Sequence, residues 1–121
     1  MPLSERDLAH LIDMAVCCQD NLDFTSEVNF GEFESDKIRR LATERQLETL
    51  GEAANHVSAE ARSQLPTIPW PRIVGLRNEL AHDYGEVLAA RVWSIATENV
   101  PELCRTLLEI PGVEAALDEK P

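Results

Sequence analysis

Arg77, Asn78, His82, Asp83 and Tyr84 fall within the short run Arg77-Asn78-Glu79-Leu80-Ala81-His82-Asp83-Tyr84. A guanidinium can hold phosphate charge, an imidazole can move protons near neutral pH, and an amide and a phenol can position a substrate. The set suits the handling of a phosphodiester. Its pattern is R-N-x-x-x-H-x-Y, and the spacing carries geometry. Asn78 and His82, four apart, share a face for as long as the chain stays helical. Arg77 and His82, five apart, stand about 140° from each other around an ideal helix. One unbroken helix therefore does not aim both at one phosphate. Either the helix loosens by His82, as Gly85 would permit, or two copies of the chain contribute to one cleft. The second option, which makes a homodimer part of the site, is the one we favour.

Each residue also has a plainer reading. Arg77 could pair with Glu79 or with an acid on another helix, and His82 could close a helix end. Tyr84 could be a half-buried core residue. Asp83 adds an acid to the cleft, which disfavours phosphate unless it pairs with Arg77 or His82. His56 reads as a surface or helix-end residue, and His10 belongs to no motif. Trp70 and Trp93 read as core anchors, and Phe24, Phe30 and Phe33 as core packing rather than a platform for bases.

The elements that must position these groups read as helices. Ser4-Glu5-Arg6-Asp7 imitates a capping box with Asp in its third helical position, and Leu8, Leu11, Ile12, Ala15 and Val16 follow at helical spacing. The pattern fades near Asp20-Asn21. From Leu22 to Glu34 we expect a helix end passing into a loop. Ser35 or Asp36 caps a second helix with Ile38, Leu41, Ala42, Leu50, Ala53, Ala54 and Val57 as its apolar face. Gly51-Glu52-Ala53-Ala54 within it suits a closely packed helix pair or a dimer seam. Trp70-Pro71 opens a third helix with Ile73, Val74, Leu76, Leu80 and Ala81 inward, and Gly85 marks a turn after it. A fourth runs from about Glu86 to Leu108, kinked or divided by Pro101. The tail 111–121 is acidic and expected to fray. The whole is predicted to be one all-α domain over 1–121, a four- to five-helix up-and-down bundle with its core at about 4–108.

Composition sets limits. A chain of 121 residues fits one small domain. No apolar run nears the roughly 20 residues of a membrane span, and the N-terminus lacks a basic region followed by an apolar one, so a cytoplasmic protein is expected. Cys17, Cys18 and Cys104 offer neither a C-x-x-C pair nor zinc spacing; buried thiols are expected, with no metal and no cofactor. The net charge of −11 argues against tight nonspecific RNA binding and fits a chain that meets a basic partner. The stretch from Pro69 to Arg91 is close to neutral, with Arg72, Arg77 and Arg91 against Glu79, Asp83 and Glu86.

Beyond the motif, Gly51-Glu52-Ala53-Ala54, then Leu65-Pro66-Thr67-Ile68-Pro69-Trp70-Pro71-Arg72-Ile73-Val74-Gly75-Leu76-Arg77-Asn78, and later Val92-Trp93 and Val100-Pro101-Glu102-Leu103 form a connected set. These blocks resemble the HEPN superfamily, and more narrowly the HepT-like ribonuclease toxins, over roughly residues 4–108. The resemblance implies a homodimeric helical toxin that cleaves RNA without metal. Arg77 and His82 would be catalytic, with Asn78 and Asp83 positioning. It also implies a nucleotidyltransferase antitoxin of the MntA type, which would transfer AMP to Tyr84. The runner-up is a non-catalytic HEPN module that binds nucleotide or RNA for such a nucleotidyltransferase. A helical dimerisation protein with no site comes third, and a buried His82 would favour it.

Overall fold

Ser4 opens the first helix as expected, its Oγ accepting the Asp7 backbone N–H at 3.0 Å. In the computed structural model, which describes residues 2–119, this helix, α1, runs Glu5–Thr25. Asp7 does not complete a capping box. Its carboxylate reaches across to the backbone N–H and hydroxyl of Ser58, at 2.9 and 2.7 Å. The helix also continues past Asp20-Asn21, where the apolar pattern fades. Asn21 is fully buried, yet its amide donates to the Cys17 carbonyl at 2.9 Å, and Thr25 donates to the Asn21 carbonyl at 2.8 Å. Such local bonds let polar side chains occupy a buried helical face. Arg39 then donates to the Phe24 carbonyl and covers the helix end.

The expected loop contains a helix, α2, Phe30–Ser35. Asn29 and Glu32 form a reciprocal capping box at 2.9 and 3.0 Å. Phe33 is fully buried, and Phe30 and Phe33 both pack on Trp93, with ring centroids 6.1 and 5.0 Å away. The aromatics do fold back on the core, from a helix. Asp36 caps α3, Lys37–Asn55, by accepting the Arg39 N–H at 3.1 Å.

The inward face of α3 is the expected one from Leu50 onward and differs in the first turns. Thr43, Leu47, Leu50, Gly51, Ala53 and Ala54 are buried, whereas Ile38 is 83% and Leu41 50% exposed. At about 100° per residue, those two stand about 140–160° around the helix from Thr43. Thr43 takes the inward position because its hydroxyl donates to the Arg39 carbonyl at 2.8 Å.

Ser58 caps a short α4, Ala59–Gln64. Arg62 on it donates to the Ala54 and Val57 carbonyls at the end of α3, at 3.0 and 3.1 Å. The predicted third helix is two pieces, α5 Trp70–Val74 and α6 Leu76–Leu80, joined at Gly75. The predicted fourth is α7, Gly85–Ser94, a π-helical segment, Ile95–Asn99, and α8, Val100–Leu108. Pro101 has no N–H to give, and its ring crowds the carbonyl four residues back. The helix widens there, with the Val100 N–H reaching the Ile95 carbonyl, and carries on.

The described part of the tail holds α9, Val113–Asp118, docked rather than frayed, and 120–121 lie outside the described residues. Val113 is fully buried, and Gly112, at φ 94°, turns the chain back over Leu8. The packed core thus extends to Val113. Helix α1 runs through the middle, against α3 on one side and α8 and α9 on the others, while α5 and α6 lie on α3. The described residues are helical with no strand, the all-α bundle expected, and none of these helices is long and apolar enough to cross a membrane.

Candidate active site

Trp70 anchors the element that carries the motif. Its indole N–H donates to the Leu65 carbonyl at 3.1 Å, and the Arg62 guanidinium lies 5.5 Å from its ring. Gly51 on α3 then lets α5 approach closely: a Cβ there would stand 2.8 Å from the Ile73 carbonyl oxygen. Ile73, Leu76 and Leu80 are buried and pin the α5–α6 pair to the core. Between Leu76 and Leu80, Arg77 and Asn78 necessarily point outward, and both are exposed.

The helix does loosen before His82. Ala81 caps α6, with its N–H donating to the Arg77 carbonyl at 3.0 Å, and the Asp83 N–H reaches the Leu80 carbonyl at 3.2 Å. His82 sits in the turn that follows, exposed, and makes no hydrogen bond to Asn78 among the described residues. Tyr84 is extended and 81% exposed, which removes the half-buried core reading. Gly85 follows at φ 53°, where a side chain is strained, and starts α7.

Asp83 pairs with neither Arg77 nor His82. Its carboxylate accepts from Arg91 Nε on α7, and Arg91 Nη1 donates to Glu79 Oε1 at 3.1 Å. Asp83, hydrogen-bonded and close, is the main cause of a raised Arg91 pKa; Glu79 adds to it. Glu79 is thereby taken from Arg77, which has no ion pair among the described residues. Two cations and two anions make the site near neutral within an acidic chain. Arg91 counted only as a charge in the sequence; its role as the partner of Asp83 lay beyond any local spacing.

Beside this cluster a groove of about 640 Å³ opens between α2 and α7, lined by Phe30, Arg72, Glu79, Val87, Arg91 and Asn99 among others. A cavity of about 240 Å³ adjoins the π-helical segment and shares Arg72, Ile95 and Asn99 with it. Among the described residues no three His, Cys, Asp or Glu side chains gather as a metal site. His56 stacks on His10, with centroids 5.2 Å apart, and contacts Glu52 at 3.1 Å at the end of α3, a helix-end setting. All three cysteines are free and buried, and desolvation raises their pKa values, that of Cys17 to about 11.

An all-helical bundle that displays an arginine, an asparagine, a histidine and a tyrosine on one short helix and its turn has the form of a HEPN-like domain. The profile of the family described as "Ribonuclease HepT-like" matches residues 14–110. The chain belongs to the HepT-like ribonuclease family. "Putative RNase MJ1380" of Methanocaldococcus jannaschii is 36% identical over 102 residues, covering 84% of this chain and 94% of that one. "Putative RNase MJ0125" of the same organism is 32% identical over 98% of this chain and 100% of its own length. "Probable ribonuclease HepT" of Thermococcus cleftensis is 32% identical over 103 residues, covering 85% of this chain and 92% of that one. No solved structure matches significantly.

Proposed function

We propose that this protein is a metal-independent endoribonuclease toxin of a prokaryotic toxin–antitoxin pair, with Arg77 and His82 as its catalytic residues. The observation that carries the reading is the exposure of two side chains, an Arg77 free of ion pairs among the described residues and a His82 released from the helix, in a family of ribonucleases. A neutral His82 imidazole takes the proton from a ribose 2′-hydroxyl, whose oxygen bonds to the adjacent phosphorus. The bond from phosphorus to the 5′-oxygen breaks, and that oxygen is protonated by a second His82 across a homodimer or by water. Arg77 holds the non-bridging oxygens as their charge grows. The products are a 2′,3′-cyclic phosphate and a 5′-hydroxyl. Asn78 positions the RNA phosphate, and Asp83, through Arg91, supports the turn that carries His82.

The 81% exposure of Tyr84 suits the second half of the proposal, transfer of AMP to its hydroxyl by a nucleotidyltransferase antitoxin. The added phosphodiester and base would stand beside Arg77 and exclude RNA by charge and bulk. The net charge of −11 speaks for the runner-up, a non-catalytic binding module. Expression in bacteria separates them. Wild type should arrest growth, Arg77→Ala and His82→Ala should not, and a co-expressed nucleotidyltransferase of this class should restore growth while Tyr84 gains the mass of AMP. Equal growth with all three chains would leave the binding module.

A further inference from the structure

Arg91 touches two separate parts of the motif at once. Its Nε donates to Asp83 in the turn that carries His82, and its Nη1 to Glu79 on α6, at 3.1 Å. A planar guanidinium presents these donors in fixed directions, so the two carboxylates fix each other's placement through it. Glu79 lies next to Asn78, and Asp83 lies between His82 and Tyr84. Little else holds that turn. Its backbone makes two bonds back, to Arg77 and Leu80, and one forward, the Tyr84 carbonyl accepting the Leu88 N–H at 3.2 Å, while neither His82 nor Tyr84 has a side-chain hydrogen bond among the described residues. At Gly85, on its far side, an added Cβ would meet nothing within 4 Å.

We propose that Arg91 is a positioning residue for the cleavage: by tying Asp83 to Glu79 it holds the His82 turn against the helix that carries Arg77. The catalytic consequence rests on the ribonuclease reading above, while the structural one rests on the ion pairs alone.

The test compares wild type, Arg91→Ala, Asp83→Ala, the double variant, Arg91→Lys and His82→Ala. A labelled single-stranded RNA of mixed sequence gives kcat and KM, and amide hydrogen exchange over residues 80–84 reports the turn. Arg91→Ala should lower kcat by about 10- to 100-fold and leave KM within about twofold, and the turn amides should exchange faster. The double variant should be no worse than either single one, since both remove the same link. Arg91→Lys keeps the charge but loses the fork, and should fall between. Wild-type exchange or wild-type kcat in Arg91→Ala, or losses that multiply in the double variant, would overturn the proposal. If wild type and His82→Ala cut RNA alike, the ribonuclease reading fails, and exchange alone still decides whether Arg91 holds the turn.

Discussion

Gly51→Ala should destabilise this protein, although alanine is the better helix former. Replacing a mid-helix glycine by alanine is worth about 1 kcal/mol in favour of the helix. Here the new methyl would stand 2.8 Å from the Ile73 carbonyl oxygen, well short of ordinary contact, with Leu76 Cβ next at 3.7 Å. The obstacle is backbone, so no rotamer change relieves it, and α5 must move off α3. Overpacking of this kind costs about 1–3 kcal/mol. With the rigid neighbour placing the cost in the upper half, the net loss is about 1–2 kcal/mol. Thermal unfolding followed by circular dichroism should show Tm falling by about 4–8 °C. The displaced α5 leads through Gly75 directly into α6, which carries Arg77, so cleavage at 25 °C should fall by more than the unfolded fraction explains. A Tm raised as propensity alone dictates, with cleavage intact, would refute the close approach of α5 to α3.

Four further outcomes are expected. Phe33→Ala should cost about 3–5 kcal/mol, because Phe33 is fully buried against Trp93, and urea unfolding read by tryptophan fluorescence measures it. Asp7→Ala should cost about 1.5–3 kcal/mol at pH 7 by removing the charged acceptor of Ser58. The Ser58 N–H chiefly holds the Asp7 pKa below its ordinary 3.8, so this stability is present above that value and lost as pH falls through the lowered one. Urea curves for wild type and variant should therefore converge in acid. The three thiols should resist a thiol reagent at pH 8 until the chain unfolds, since burial disfavours their thiolates. Gly85→Ala should lose about 1–2 kcal/mol, for φ 53° is unfavourable to any residue with a Cβ, and calorimetry would register it.

The caps were the most legible part of the fold. Ser4 and Asp36 accept the backbone bonds their positions foretold, while the same chemistry at Asn29 and Glu32 heads a six-residue helix too short to show an apolar period. Apolar spacing placed Leu50, Ala53 and Ala54 inward but failed in the first turns of α3, where Ile38 and Leu41 repeat like core residues but share a face with Arg45, Glu48 and Glu52. A pattern fixes a helix, and tertiary packing decides which stripe is buried. Pro101 announced a kink, but the sequence could not say that a π-helical turn would absorb it. The small residues at Gly51 left a helix pair and a dimer seam both open, and the approach of α5 from within the same chain fills that face. At the site, the exposure of Arg77, Asn78 and His82 follows from their places around Leu76 and Leu80. The Asp83–Arg91 link spans the Gly85 turn and required the folded chain to appear.

Incubation of the purified protein with total RNA and tRNA in excess EDTA tests the central claim most directly, with Arg77→Ala and His82→Ala beside wild type. The account predicts cleavage by wild type alone, leaving 2′,3′-cyclic phosphates and 5′-hydroxyls. Three inactive preparations, or three equally active ones, would contradict it.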